Sequence, residues 1–251
     1  MFVLATGTLY KYGLNRIFQI AKELEFDGIE LFMNNNVYDT TDKEYLKNLV
    51  DTYNIPIVGL KIPNDVNTPA KVRDAISFAE DLNIPVVILR VPRFTDFKFT
   101  NWFKKYLPKL QDKTNVKIAI ENAPSGTGFI LPEYSIGAMN EMKRFSYICL
   151  DTSHLVTRKA DLIRTYESMK KHIAFIHLSN WHKNNEHWML HEGILPIESF
   201  LSKLATDGYQ GPISLKLDLE VIGKDKINLV IKNVKQAKDF YTKYFTSKRS
   251  N

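Results

Sequence analysis

The chain lacks several features that would place it in common structural classes. It has one cysteine, Cys149, so an internal disulfide is excluded and a reducing compartment is favoured. It has no run of about 18 apolar residues, so we expect no membrane span. Its start, MFVLATGTLYKYG, lacks a basic region followed by an apolar one. We therefore expect no signal peptide and a cytoplasmic location.

Charge of one sign does not dominate any part of the chain. The formal net charge is +6, and the basic residues are spread along the sequence apart from the tail TSKRSN. This distribution favours a solvated, lysine-rich surface over a nucleic-acid stripe, although attraction of an anionic substrate stays open. We expect no nucleic-acid partner, and a homo-oligomer is compatible with the sequence.

Short apolar runs alternate with longer stretches of helical periodicity. The runs are FVLATG (2–7), FDGIELF (26–32), IPIVGLKIP (55–63), IPVVILRVP (84–92), VKIAIENAP (116–124), SYICLDTSHL (146–155), HIAFIHLSN (172–180) and PISLKLDLE (212–220). Among the helices, one over KEYLKNLVDTY is expected to be capped by Thr41, one near 133–143 to follow the loop SGTGF, and one to span 225–245.

Eight strand–helix units in 251 residues predict a single (β/α)8 TIM barrel, a fold that takes about 250 residues. No composition shift divides the chain, so residues 1–251 are expected to form one domain, with a disordered tail from about 246 to 251. The first strand is not followed by G-x-G-x-x-G, so we expect no nucleotide cofactor.

Ionisable residues stand near the last inward position of seven predicted strands. They are Glu30, Lys61, Arg90, Glu121, Asp151, His177 and Lys216. Because chemistry in such barrels lies at the carboxyl ends of the strands, a common site explains this set better than seven separate solvated charges.

The histidines give a second signal. All six lie between His154 and His191. His154 and His177 follow or end strands, and His187 lies in a loop over 181–193 that we expect to form a lid or substrate wall. His172 and His182 are expected to be exposed. Imidazoles with a carboxylate suit a divalent ion such as Mn²⁺ or Zn²⁺.

The second half of the chain resembles the xylose-isomerase-like TIM-barrel superfamily, which includes sugar and sugar-phosphate isomerases and epimerases and endonuclease IV. The similar motifs are "IAIENAP", "CLDTSHL", "FIHLSN" and "HEGILPIESFLSKLATDGYQGPISLKL". In the epimerase branch the resemblance implies a metal held by Glu121, Asp151, His177 and a fourth residue, which is a glutamate in the family and Lys216 here. It also implies a substrate contact for His154.

Lys216 changes what the resemblance implies, because an ammonium does not ligate a cation. We expect Lys216 to pair with Glu121, Asp151 or both, so that a divalent metal (Mn²⁺, Zn²⁺ or Mg²⁺) binds weakly or not at all. The family's usual aspartate three residues after the strand-seven histidine is Asn180. Endonuclease IV needs further histidines on strands three and four, where Lys61 and Arg90 stand.

These residues lead to a functional hypothesis and two alternatives. The first is a sugar or sugar-phosphate isomerase or epimerase with Glu121 and Lys216 as catalytic groups. His154, Lys61, Arg90, His187 and Glu30 would bind the substrate. The second is a non-catalytic barrel that either binds a sugar or phosphate or has a regulatory role. A DNA-repair nuclease similar to endonuclease IV ranks third.

Overall fold

Parallel strands follow one another along the chain and close into a barrel. The computed structural model describes residues 1–63, 68–92, 97–124 and 142–247. The barrel strands are β1 Phe2–Ala5, β2 Gly28–Phe32, β3 Ile57–Lys61, β4 Val86–Arg90, β5 Lys117–Glu121, β6 Tyr147–Asp151, β7 Ile173–Leu178 and β10 Ile213–Leu215. Each pairs in parallel with its neighbours, and β10 pairs with β1 to close the sheet. The predicted (β/α)8 TIM barrel is confirmed.

Helices lie between the strands. They are α1 Leu14–Glu23, α2 Lys43–Tyr53, α3 Pro69–Asp81, α4 Phe97–Gln111, α5 His154–Thr157, α6 Leu162–Met169, α7 Ile197–Thr206, α8 Leu219–Ile222 and α9 Ile227–Tyr241. Asp42 caps α2, accepting hydrogen bonds from the Glu44 and Tyr45 amides, so the expected cap at Thr41 was wrong by one residue. No helix among the described residues is long and apolar enough to cross a membrane.

Alternation along the strands divides the core into two layers. The barrel interior contains Val3, Val58, Val86, Ile88, Ala119, Cys149 and Phe175. The opposite faces of the same strands, such as Ile118 and Ile120 on β5, pack against the helices. Gly59 leaves room for Phe175, because a Cβ there would lie 2.7 Å from the phenyl ring. Phe175 in turn packs its ring edge-on against His177, 5.7 Å between centroids.

The eighth barrel strand is shorter than the sequence predicts. β10 ends at Leu215, Lys216 follows it, and the Asp218 side chain accepts a hydrogen bond from the Glu220 amide to begin α8. Leu217 is buried although it lies outside the strand. The alternation in 213–220 therefore continues past the strand, because the following turn also buries one side of the chain.

The segment after β7 forms a hairpin where a loop was expected. β8 (Asn180–His182) pairs antiparallel with β9 (Asn185–Trp188). The expected 225–245 helix is α9 followed by a π-helical turn over Thr242–Thr246. The expected SGTGF loop and almost all of the 133–143 helix lie outside the described residues, as does the tail from 248. One domain over 1–251 stays a prediction.

Candidate active site at the barrel mouth

The ionisable residues of the strands meet at one end of the barrel. Lys61, Arg90, Glu121 and Asp151 are the last residues of their strands, and His177 is the last but one of β7. Because all eight strands are parallel, their carboxyl ends face the same side. The strand register places Arg90 beside Glu121, and Asp151 beside His177.

Lys216 lies between two carboxylates of this group. Its Nζ donates to Asp151 Oδ2 at 2.8 Å and to Glu121 Oε1 at 3.1 Å. Burial lowers the pKa of Lys216, but the negative charges of Asp151 and Glu121 outweigh it and raise the pKa above its ordinary value. The two hydrogen bonds and the raised pKa favour the ammonium form of Lys216.

Glu121 has hydrogen-bond donors at both oxygens. Oε1 accepts from His177 Nδ1 at 2.7 Å as well as from Lys216, and Oε2 accepts from Lys61 Nζ at 2.6 Å. Burial raises the pKa of Glu121, but the charges of Lys216 and Lys61 lower it well below its ordinary value. The side chain is 1% exposed, so Glu121 is a buried carboxylate rather than one open to the mouth.

Asp151 is held by the chain that follows it. Its Oδ1 accepts from the Ser153 hydroxyl at 2.8 Å and from the Ser153 and His154 amides at 3.1 and 3.3 Å. The Asn122 side chain fixes the Asp151 backbone by bonds to its N and O. Burial raises the pKa of Asp151, but the charges of His154 and Lys216 hold it well below its ordinary value.

His177 bridges two carboxylates with its two ring nitrogens. Nδ1 lies 2.7 Å from Glu121 Oε1, and Nε2 lies 2.8 Å from Glu30 Oε1. Burial lowers the pKa of His177, but the surrounding anions, Glu30 among them, raise it well above its ordinary value. Each ring nitrogen lies within hydrogen-bond distance of a carboxylate oxygen, an arrangement that favours the protonated ring. Ser214 Oγ also donates to Glu30, which is buried below the mouth.

His154 follows β6 and is buried. Its Nδ1 lies 2.6 Å from the Asn122 carbonyl oxygen, so Nδ1–H donates and fixes the ring. Its Nε2 faces Asp151 Oδ2 and Glu186 Oε2, each at 3.5 Å. Glu186 belongs to β9, so His154 connects the barrel to the hairpin.

His187 brings the hairpin against the barrel mouth. Its Nδ1 lies 3.2 Å from both Ser153 Oγ and Ser179 Oγ, and its side chain is 22% exposed. Its backbone is left-handed, with φ of 58°. Burial and the nearby charge of Lys216 lower the pKa of His187 to about 4, so the imidazole is neutral at pH 7.

The predicted substrate-binding residues differ in the exposure of their side chains. Arg90 is the most open of them, with a side chain 36% exposed and Nε 3.9 Å from Glu121 Oε2. His187 is partly open. Lys61, Glu30 and His154 are buried, and the contacts of Lys61 and Glu30 in the structure are with Glu121 and His177. The roles of all five residues in substrate binding stay predictions.

The residues at the family's metal position do not form a free ligand set. Glu121, Asp151 and His177 each bring a ligand atom within 4.8 Å of the others. The Lys216 ammonium, however, bonds both carboxylates, and both nitrogens of His177 lie within hydrogen-bond distance of carboxylate oxygens, so a cation would have to displace these contacts. These residues do not fit a divalent ion in this arrangement.

A second group of metal-compatible side chains is also engaged. Asp151, His154 and His187 lie within the same 4.8 Å limit. Both oxygens of Asp151 already accept hydrogen bonds, and His187 Nδ1 contacts two serine hydroxyls. A metal ion bound by this group would have to compete with these hydrogen bonds for Asp151 and for His187 Nδ1.

Sequence reasoning missed several residues that organise the site. They are Asn122, Ser153, Ser179, Glu186 and Ser214. Asn122, Ser153 and Ser179 lie one or two residues beyond predicted ionisable positions, so their place after strand ends was a usable signal. Glu186 carried no such signal, because its position depends on the turn of the hairpin.

Comparison with known proteins agrees with this architecture. The family model of the xylose isomerase-like TIM barrel matches residues 18–225. A D-tagatose 3-epimerase-like protein superposes with a TM-score of 0.72 at 22% identity, over 98% of both chains. The D-allulose 3-epimerase from Methylomonas sp., solved with D-allulose, gives 0.72 at 15% identity, over 97% of this chain and 96% of that one.

A family 2 AP endonuclease from Brucella melitensis is similar to the same degree. It superposes with a TM-score of 0.71 at 16% identity, over 93% of this chain and 96% of that one. At such identities these similarities show the shared fold alone. The family match covers most of the sequence, and the chain belongs to the xylose isomerase-like TIM barrel family.

Proposed function

We propose that this protein is an isomerase or epimerase of a small sugar or sugar phosphate, in which Lys216 takes the position of the fourth metal ligand. The observation that carries the proposal is the contact of the Lys216 ammonium with both Glu121 and Asp151 at the barrel mouth. Similar structures that bear the names of tagatose and allulose 3-epimerases support the reaction class.

The chemistry of the class requires a proton to leave the carbon next to a carbonyl. The negative charge that develops on the carbonyl oxygen must be stabilised by a positioned donor. Lys216 is suited to this part, because its side chain is 24% exposed and its pKa is raised, which favours the charged form. Glu121 and Asp151 hold the ammonium in place. A divalent metal would supply the same stabilisation in the family, but the residues here do not fit one.

The substrate would lie against the open side of the site. Arg90 offers a cation for a hydroxyl, carboxylate or phosphate, and His187 on the hairpin, with His154 beneath it, would bind further substrate groups. Lys61 and Glu30 contribute through Glu121 and His177. Glu121 was predicted as a catalytic group; because both of its oxygens accept hydrogen bonds, its contribution in this proposal is to hold Lys216.

The test is turnover of a defined set of ketoses. D-tagatose, D-allulose and L-ribulose, with D-fructose 6-phosphate as the phosphorylated member, are each incubated with the protein and separated by chromatography. The assay is run with a chelator and with added Mn²⁺. We expect a new isomer from at least one sugar, with no loss in the chelator. Absence of any product under both conditions would contradict the enzyme proposal.

A second candidate is a barrel that binds sugars without reaction. The observation that favours it is the engagement of both oxygens of Glu121 and of Asp151 by donors. Such a protein should gain thermal stability from a ligand and yield no product. Melting curves with the same four sugars, measured beside the turnover assay, distinguish the two.

A further inference from the structure

A base for the proposed reaction needs a free lone pair that faces the substrate. Glu121 does not offer one, since Oε1 accepts from His177 and Lys216, Oε2 accepts from Lys61, and the side chain is 1% exposed. Asp151 is likewise engaged at both oxygens and buried. The base therefore has to come from another element at the mouth.

A chain of hydrogen bonds orients the imidazole of His187. The Ser153 hydroxyl donates to Asp151 Oδ1 at 2.8 Å, which leaves a lone pair on Ser153 Oγ for His187 Nδ1 at 3.2 Å. The Ser179 hydroxyl lies 3.2 Å from the same nitrogen and can accept from it; with Nδ1–H donating to these hydroxyls, Nε2 of the neutral ring is the acceptor. This is the arrangement of a base that is itself oriented by a third group.

The backbone fixes His187 in this position independently of the ring. The residue adopts φ of 58°, a conformation uncommon outside glycine and frequent at functional sites. Its carbonyl oxygen accepts a hydrogen bond from the Asp218 amide at 2.8 Å, two residues after Lys216. The hairpin is thereby tied to the segment that carries the ammonium.

We propose that His187 is the base of the site and that Ser153 is a positioning residue for it. This inference rests on the proposed function. His187 Nε2 takes the proton from the carbon next to the carbonyl, and the C–H electron pair forms the carbon–carbon double bond. The carbonyl π electrons move to the oxygen, which accepts a hydrogen bond from Lys216. In an epimerisation a water molecule on the opposite face of the enolate returns a proton to the same carbon, the double-bond electrons form the new C–H bond, and the carbonyl is restored; the hydroxide left behind takes the proton from the His187 imidazolium. In an isomerisation the imidazolium gives its proton to the former carbonyl carbon, and the proton of the neighbouring hydroxyl passes to the enolate oxygen as the new carbonyl forms.

Glu186 stabilises the imidazolium that this step forms. Its Oε2 lies 3.9 Å from His187 Nε2, close enough for attraction once the ring is charged. The carboxylate also faces His154 Nε2 at 3.5 Å, so it is positioned before the reaction begins. The hairpin thus supplies both the base and the counter-charge.

The experiment measures proton removal directly. Wild-type protein and variants are incubated in D₂O with D-tagatose, D-allulose or L-ribulose, and loss of the proton next to the carbonyl is followed by NMR. The main variant is His187→Asn, because asparagine tolerates the left-handed backbone and lacks a basic nitrogen. His182→Asn removes an imidazole from the same hairpin that packs on Trp188, 5.1 Å between centroids, and is the matched control.

General base catalysis contributes about 100-fold or more, so we expect His187→Asn to lower kcat for exchange by that factor with a smaller change in KM. Ser153→Ala should lower kcat by less, with KM unchanged. This variant tests the same role of His187 if His187→Asn folds poorly. His182→Asn should stay within about twofold of wild type.

The outcomes separate this inference from the proposed function. If the wild type exchanges the proton and His187→Asn does so at the same rate, or with only a higher KM, His187 is not the base. The enzyme proposal would then still stand. An equal loss of kcat in His182→Asn also overturns the role of His187, because the loss would then come from a general disturbance of the hairpin. Absence of exchange by the wild type with all three sugars refutes the proposed function and this inference with it.

Discussion

Removal of the Lys216 ammonium should destabilise the fold more than removal of a surface lysine. In Lys216→Met, Asp151 and Glu121 lose the donor that lies 2.8 and 3.1 Å from their oxygens. Methionine fills a similar volume without a charge, so the change isolates the ion pair.

The expected loss of unfolding free energy in Lys216→Met follows from the distance between the charges and from their burial. At 2.8 Å and an effective dielectric of 20, the attraction of the Lys216–Asp151 pair is roughly 6 kcal/mol before desolvation is subtracted. Breaking a buried pair by removing one partner costs about 3–5 kcal/mol. Because Lys216 is 24% exposed and Glu121 keeps Lys61 and His177, we expect the lower end, about 3 kcal/mol.

The assay is urea unfolding at pH 7, with Lys235→Met as the matched control. Lys235 pairs with Asp239 at 2.7 Å, but these side chains are 60% and 62% exposed. Surface pairs of this kind contribute about 0–1 kcal/mol. The two variants therefore remove a lysine at a similar distance from its carboxylate and differ in how buried the pair is. Equal losses of unfolding free energy in the two variants would refute the reasoning.

The pH dependence of the stability lost in Lys216→Met gives a second check. The folded-state pKa values of Asp151 and Glu121 are lowered from 3.8 and 4.5, so their contribution is present above those values. It is lost as the pH falls through the lower folded-state values. The difference between wild type and Lys216→Met should therefore shrink below about pH 4. A difference that grows in acid would contradict the assignment.

Three further changes test separate parts of the molecule. Lys216→Glu places a carboxylate beside Glu121, Asp151 and His177, so calorimetric titration with Mn²⁺ or Zn²⁺ should show stoichiometric binding in the variant; equally tight binding by the wild type would show that Lys216 does not occupy the metal position. Gly59→Ala puts a Cβ 2.7 Å from the Phe175 ring and should cost about 1–3 kcal/mol in urea unfolding. Asp42→Ala should cost about 1 kcal/mol through loss of the α2 cap, whereas Thr41→Ala should cost less, and the reverse order in melting curves would contradict the cap assignment.

The sequence by itself determined the barrel and the residues that meet at its mouth. Alternation within each strand assigns one set of side chains to the interior, and the repeat of strand and helix makes the strands parallel. Parallel strands bring their carboxyl ends together, so Glu121, Asp151 and His177 had to be neighbours wherever the barrel closed. The resemblance in motifs then indicated which of them form the site.

Only the tertiary structure decided which groups pair. His177 meets Glu30 across 147 residues of sequence, and this contact depends on barrel closure and on the rotamers of both side chains. The same contact buries Glu30, which the sequence assigned to the substrate. The hairpin placed His187 against Ser153 by a turn that strand periodicity does not encode. Pairing depends on distances between side chains from separate elements, and a local pattern contains no information on those distances.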